Sequence, residues 1–240
     1  MKCPVCEGDG KLLDVVDLNR SCVPKRDARV GLSGVPVYYA VCESCGFCWS
    51  PTMYEKDLEW YRANIYNAGY EAVDPDYVSA RALKETKNLL ESFPDFKLKH
   101  LDYGGGNCRL SLELIDHGWD SWSCDPFVES DLHEGKYSLI TAIEVFEHVP
   151  APHKLFEELT SLLEDDGIVI FTTLLSDGQL HTDERIKWWY IAPRNGHVGV
   201  WSKKSLEFMV RKYGFNARSS ERGFHVLFRK RLPVWAEKLL

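Results

Sequence analysis

"KHLDYGGGNCRLSLELIDHGWDSWSCDP", Lys99 to Pro126, sets three consecutive glycines, Gly104 to Gly106, between an apolar start and an amphipathic continuation. The stretch reads as a strand ("LKHLDYG"), a tight turn, a helix ("CRLSLELIDHG", closed by Gly118) and a second strand ("WDSWSCDP"). Glycine at such a junction lets the backbone take a conformation that side chains forbid, and lets another group approach closely. The turn is therefore the first place to look for a bound ligand.

The texture continues outward from there. "YSLITAIEVFEHV" is an apolar strand running into polar residues, "APHKLFEELTSLLEDDG" a helix, "IVIFTTLL" a strand, "SKKSLEFMVRKYGF" a helix and "GFHVLFRKR" a final strand. Strands alternating with helices predict an α/β fold, a Rossmann-like doubly wound sheet that is mostly parallel and covered on both faces. Upstream, "TMYEKDLEWYRANIY" and "DPDYVSARALKETKNLLESF" read as helices. The second is expected to start at Asp74 or Asp76 and to stop at Pro94. These readings divide the chain into residues 1–50, a helical lid or linker at 51–97, and a ligand-binding domain at 98–240.

Residues 1–50 carry two cysteine pairs, "CPVC" (Cys3, Cys6) and "CESC" (Cys42, Cys45). A two-residue gap lets a tight knuckle aim two thiolates at one ion, and four thiolates make a closed, structural zinc site. The pairs lie about twice as far apart as the usual ~15–20 residues. A hairpin of "KLLDVVDL" and "VPVYYAV" around a long loop, "PKRDARVGLSGVP", accounts for the distance. Cys48 is an alternative to Cys45, Cys22 falls in the loop, and Cys108 and Cys124 belong to the next domain.

The 240 residues carry a formal charge of -7, and no apolar run approaches the ~20 residues of a membrane span. The start, "MKCPVC", has no apolar signal-peptide core, so the expected compartment is the cytoplasm, where thiols stay reduced. From Trp201 onward ten basic residues face three acidic ones, which reads as a solvated helix face and edge strand rather than a phosphate-binding surface. Residues 1–50 hold six basic and six acidic residues, and four zinc-bound thiolates would turn that module negative. Nucleic acid is disfavoured as a partner on that ground.

In a doubly wound sheet, ligands bind beyond the carboxyl ends of the strands near a topological switch point. Asp125 closes the strand after the glycines and is suited to accept hydrogen bonds from the hydroxyls of a ribose. The dinucleotide fingerprint G-x-G-x-x-G fails, because Arg109 stands at its last position. Asp102, just ahead of the glycines, would repel a pyrophosphate but suit an ammonium group. S-adenosylmethionine has an adenosine, a sulfonium and an amino-acid end, and meets these demands.

"LDYGGGN", "SCDP" and "YSLITAIEVFEHVPAP" resemble, in order and spacing, the first, second and fourth motifs of class I S-adenosylmethionine-dependent methyltransferases. "GIVIFTT" and "GHVGVWSKKSLEFMVRKYGF" are similar to the end of the ubiquinone-type O-methyltransferase branch. The N-terminal cysteine pairs are more loosely similar to zinc-bearing methyltransferases of deoxysugar pathways. The resemblance spans about Leu98 to Arg229. It implies that Asp102, Gly104 and Gly106 cradle the methionine and ribose part, that Asp125 holds the ribose, and that Glu144 lines the pocket. Asp131 is the nearest candidate for the acid beside the adenine.

Methyl transfer is an in-line displacement, and a hydroxyl acceptor must also lose its proton. His148, in "EVFEHVPAP" beside Glu144 and Glu147, and His197, in the glycine-rich "PRNGHVGVWS", are the candidate bases. Each also has a purely structural reading. His181 is a further candidate, whereas His100, His117, His133, His153 and His225 read as structural. Trp188, Trp189 and Tyr190 near Arg194 suit a sugar or ring substrate, and Tyr66 and Tyr70 suit a lid over the cofactor. The expected function is methylation of a small molecule or a sugar/glycan, at a hydroxyl oxygen. An RNA methyltransferase gripping its substrate with the zinc module and a non-catalytic binding module are the alternatives. The acceptor and the oligomeric state are not legible.

Overall fold

The structure, a computed structural model, describes every residue except 23–29, 78, 96, 129–134, 221, 222 and 240. Asp131 and His133 lie outside the described residues. The chain forms two compact units, each assembled from separated stretches. One consists of Met1–Asp74, Phe146–Leu155 and Leu174–Met209, the other of Pro75–Val145, Phe156–Thr173 and Val210–Leu240.

The first unit is built on the expected hairpin. Strands β1 (Gly10–Asp17) and β2 (Pro36–Cys42) pair antiparallel, from Gly10 opposite Cys42 to Asp17 opposite Pro36. The sheet continues through β3 (Cys48–Trp49), which brackets the second cysteine pair between itself and β2. Its fourth strand comes from far along the chain: Gly199–Val200, which we label β8, pairs with β3. The sequence reading has a glycine-rich loop there, because two residues are too few to show a period. Phe47 packs edge-on against Trp201 at 5.0 Å, and the Trp201 indole N–H donates to the carbonyl of Phe146 at 3.0 Å.

The expected helix after Pro51 is broken in two. Helix α1 (Pro51–Tyr54) is followed by α2 (Leu58–Asn64), because Asp57 is extended and its carboxylate accepts from the Trp60 N–H at 2.8 Å, starting a new helix. A short α3 (Tyr70–Val73) completes this segment.

The second unit holds strands β4 (Lys99–Tyr103), β5 (Asp120–Cys124), β6 (Tyr137–Ile143), β7 (Leu163–Thr172), β9 (Asn216–Ser219) and β10 (Phe224–Phe228). Their order across the sheet is β5-β4-β6-β7-β10-β9. The first four are parallel, and the β9–β10 hairpin adds on antiparallel to β7. β6 is buried along almost its whole length, as a strand covered on both faces must be. Leu139, Ile168, Ile170, Val226 and Phe228 meet Leu89 of α4 (Ala80–Ser92) and Leu110 and Leu114 of α5 (Arg109–Asp116) in one apolar core.

Three boundaries differ from expectation. Helix α4 starts behind Ser79, later than Asp74 or Asp76, because Asp74 precedes Pro75 and is pushed out of helical conformation. Pro75–Tyr77 form a single 3-10 turn instead. Helix α6 (Pro152–Leu162) ends earlier than read, and "LEDDG" already belongs to β7. β9, "NARS", is wholly exposed and has no apolar alternation to betray it. Helix α7 (Lys203–Lys212) lies where the period places it.

Ile140 on β6 is fully buried, while Ile115 on α5 is 46% exposed. Ile140→Ala should cost about 2–5 kcal/mol in urea denaturation, and Ile115→Ala should stay within about 0.5 kcal/mol.

Candidate active site

The chain runs from β4 to β5 on one side and then to β6 on the other, so the switch point lies at the carboxyl ends of β4 and β6. The glycine turn leaves the first of these ends. Gly104 and Gly106 have φ of 72° and 54°, in the left-handed region. Each of the three glycines clears space for a different group of the protein. A Cβ at Gly104 would lie 2.6 Å from Val145 Cγ2, and one at Gly106 would lie 2.7 Å from Tyr77 Oη. One at Gly105 would collide with the Asp102 carboxylate and the Ser123 hydroxyl.

The N–H groups of Gly104, Gly105, Gly106 and Cys108 are consumed internally. The Gly104 and Gly105 N–H groups donate to the Cys124 carbonyl at 2.8 and 3.2 Å, and Cys108 N–H to the Gly105 carbonyl at 3.0 Å. Gly106 N–H donates to Asp125 Oδ2 at 3.0 Å, and Phe127 N–H to Asp125 Oδ1 at 2.8 Å. Asp125 is thus held in one orientation at the end of β5. Two non-glycine residues also adopt left-handed backbone here, Cys108 (φ 61°) before α5 and Glu144 (φ 54°) after β6. Such strain persists where surrounding structure over-determines it. For Glu144 the clamp is Thr172, whose hydroxyl accepts from the Glu144 N–H at 2.9 Å and donates to its carboxylate at 3.0 Å.

Asp102 is buried beneath the turn at the end of a polar ladder across three strands. The Ser121 hydroxyl lies 2.7 Å from His100 Nδ1, His100 Nε2 lies 3.0 Å from Thr141 Oγ1, and that hydroxyl donates to Asp102 Oδ1 at 3.1 Å. Thr141 has one proton to give, so His100 Nε2 is the donor to Thr141 and His100 Nδ1 accepts from Ser121. Burial holds His100 neutral, lowering its pKa to about 3. Burial also pushes Asp102 up to about 7, opposed by the Thr141 hydrogen bond and aided by the charge of Asp125.

In the first unit the four cysteines converge. The Sγ atoms of Cys3, Cys6, Cys42 and Cys45 all lie within 4.8 Å of one another, with Cys3–Cys45 at 3.7 Å and Cys6–Cys42 at 3.5 Å. A tetrahedron with metal–sulfur bonds of about 2.3 Å has edges of about 3.8 Å, so the spacing fits zinc. The two knuckles share a backbone turn. Glu7 N–H donates to the Cys3 carbonyl and Gly46 N–H to that of Cys42, both from left-handed residues four positions on. Val5 N–H and Cys45 N–H point at the first sulfur of each knuckle, both at 3.4 Å. Cys48 stands apart from this cluster, on β3, where burial pushes its thiol up.

A second group in the same unit joins both candidate bases. Glu147, His148 and His197 each bring one ligand-capable atom within 4.8 Å of the others. The rings of His148 and His197 are 4.9 Å apart, nearly perpendicular. His197 Nδ1 donates to the Tyr190 carbonyl at 2.8 Å, which leaves Nε2 as the basic nitrogen. His148 Nδ1 lies 3.2 Å from the Gly196 carbonyl and 3.1 Å from the Tyr66 hydroxyl. The Tyr190 hydroxyl donates to the buried Glu147 carboxylate at 2.5 Å. Gly196 (φ 89°) is needed here, since a Cβ would strike Tyr66 and His148.

Of the other sequence candidates, Tyr66 and Tyr190 border this group. Arg194 is buried and donates to the Ile65 carbonyl at 2.7 Å, and the Tyr70 hydroxyl donates to the carbonyl of Asn195 at 3.3 Å. Trp189 is exposed and Tyr190 buried. His181 is exposed, and His225 is buried against Thr173 and Ser219. Tyr77, the neighbour of Gly106, belongs to no motif that the sequence reading singled out. The glycine opposite it, at 106, is the signal that something large sits close by.

A doubly wound sheet with a glycine turn at its switch point and acids closing the first two strands is the fold of class I methyltransferases. Residues 57–220 match the family model described as a methyltransferase domain, and the chain belongs to that family. It is 41% identical over 39 residues to a ubiquinone biosynthesis O-methyltransferase of Glaesserella parasuis serovar 5 (strain SH0165), covering 16% of each chain. It is 29% identical over 82 residues to the ubiquinone biosynthesis O-methyltransferase of Actinobacillus pleuropneumoniae serotype 7 (strain AP76), covering 33% of this chain and 34% of that one. The chain therefore matches a sixth to a third of the length of these curated relatives. Among solved structures, the 1,6-didemethyltoxoflavin-N1-methyltransferase of Burkholderia thailandensis superposes with a TM-score of 0.49 at 15% identity, over 75% of this chain and 92% of that one.

The Asp102 shift has a consequence for stability. Its folded pKa, about 7, exceeds the ordinary value of 3.8, so the folded state holds a proton that the unfolded chain has released between those values. Stability from this group is full below about pH 4 and is lost as pH rises through about 7. Cofactor-free protein should lose urea resistance from pH 5 to pH 8 more steeply than Asp102→Asn. Parallel pH curves would show that Asp102 is not the titrating group.

Proposed function

We propose that the chain transfers the methyl group of S-adenosylmethionine to a hydroxyl oxygen of a small molecule or of a sugar or glycan. The observation that carries the choice of cofactor is the exhausted donor set of the glycine turn. The N–H groups of Gly104, Gly105, Gly106 and Cys108 all bond within the protein, so a pyrophosphate would find few donors there. The side chains Asp102, Asp125 and Glu144 are acceptors, suited to ribose hydroxyls and an ammonium group. Bound S-adenosylmethionine supplies an activated methyl group on a sulfonium. In this reading Asp125 holds the ribose, Asp102 and the Gly104–Gly106 turn shape the amino-acid side, and Glu144 lines the crevice.

The oxygen acceptor is supported by the names of the two O-methyltransferase relatives. Proton removal falls to His148 or His197. Glu147 and His148 follow Glu144 by only three and four residues. The carbonyl accepting from His197 Nδ1 fixes the tautomer that leaves Nε2 to take a proton. Small-molecule acceptors fit better than nucleic acid, given the charge of residues 1–50. As a functional division, residues 1–50 carry a structural zinc, 51–97 form a lid or linker, and 98–240 bind the cofactor.

Two experiments test this. Purified protein prepared without chelator should contain about one equivalent of zinc, and Cys3→Ser or Cys42→Ser should lose it; metal-free wild-type protein would remove the zinc reading. With an accepted substrate, Gln in place of the active histidine should keep cofactor affinity and cost about 10²–10⁴-fold in turnover. Near-normal turnover in both variants would exclude both rings as the base.

A further inference from the structure

We propose that His153 and Ser202 are positioning residues that couple the two cysteine knuckles to the paired rings of His148 and His197. This rests on the zinc and base readings above and joins them. His153 follows His148 by five residues, and Ser202 follows His197 by five. Each reaches one knuckle, and all of these residues lie in the same compact unit. His153 Nε2 donates to the carbonyl of Val5, between Cys3 and Cys6, at 3.0 Å. The Ser202 hydroxyl donates to the carbonyl of Cys45 at 2.5 Å. A carbonyl only accepts, so the direction of both bonds is fixed.

The two receiving residues are the ones that also face the sulfurs. The Val5 N–H points at Cys3 Sγ and the Cys45 N–H at Cys42 Sγ. One residue in each knuckle thus holds a ligand atom with its N–H and a base-bearing segment with its carbonyl. Gly46 makes the second contact feasible: it is left-handed at φ 75°, and a Cβ there would lie 3.1 Å from Ser202 Oγ. The two segments are also tied to each other. The Glu147 carbonyl accepts from the Val198 and Gly199 N–H groups at 2.9 and 3.0 Å. Tyr39 of β2 adds a further tie, donating its hydroxyl to the carbonyl of His197 itself at 2.6 Å. A knuckle that shifts therefore moves the segments on which the two rings stand 4.9 Å apart. Hydrogen bonds just outside a metal's ligands orient those ligands, and by linkage the same bonds help to hold the metal.

The test exchanges zinc for the larger cadmium ion in full-length protein carrying isotope-labelled histidine, and follows the ring resonances of His148 and His197 by NMR. In wild type both should shift on exchange. In His153→Ala the His148 response should shrink, and zinc should leave to excess chelator about two- to ten-fold faster, as for one lost hydrogen bond. His153→Gln lacks the ring but keeps an N–H donor, and should retain the wild-type response. Rings unmoved by exchange in wild type, a His153→Ala protein that responds as wild type does, or a Gln variant no better than Ala would each overturn the coupling, whatever the rate of zinc release. Wild-type protein that takes up neither ion would instead overturn the zinc reading, and the coupling with it. The base reading is measured apart, by turnover of the His148 and His197 variants.

Discussion

Close approach of backbone to side chains at one turn is the constraint on which the ligand end of the sheet depends. Three successive positions after β4 each face a different neighbour: Val145 after β6, the Asp102 carboxylate with Ser123 on β5, and Tyr77 ahead of α4. A side chain at any of them would push apart elements that the sheet order brings together. Left-handed backbone costs roughly 1–2 kcal/mol per non-glycine residue, which glycine avoids. The chain nevertheless accepts that strain at Cys108 and Glu144, both bordering the same switch point. Glu144 can do so because Thr172 grips its N–H and its carboxylate together.

Beneath the turn runs a second constraint, the ladder Ser121–His100–Thr141–Asp102. A buried polar group is tolerable only when its hydrogen bonds are made. Here the direction of every bond follows from the single proton of Thr141. The parallel pairing of His100 with Leu139 and Asp102 with Thr141 puts the ladder on one face of neighbouring strands. A one-residue slip would send each polar group to the opposite face. The ladder therefore specifies register in the strands that carry the switch point, at the cost of burying a carboxyl group.

Much of this was legible in the sequence because it rests on period and on special residues. The four parallel strands, α5 closed by Gly118, and the hairpin holding the cysteine pairs all follow from alternation, caps and spacing. Elements without a period escaped: β8 has two residues, and β9 is exposed throughout. The break between α1 and α2 depends on Asp57 winning as a cap over a continuous helical pattern. Convergence of Cys3, Cys6, Cys42 and Cys45 was readable from two short gaps. Convergence of Glu147 with His197 was not, since it depends on a fold that returns after about fifty residues. Tyr77 was invisible for a related reason: the sequence displays the glycine that makes room, but not the residue that fills it.

The late arrival of β8 has a bearing on how the chain is made. The sheet that carries the cysteine knuckles includes residues 199 and 200 at its edge, next to Trp49 and Cys48. A ribosome adding roughly 5–20 residues per second needs about 8–30 s to travel between the two. During that interval the nascent hairpin has an uncovered edge at β3, and uncovered strand edges recruit other chains. A metal ion clasping both knuckles early would hold β1 to β3 in register while the rest is synthesised. Were such an ion to be withheld, the effect would be felt first as aggregation of new chains, before any loss of the protein already folded.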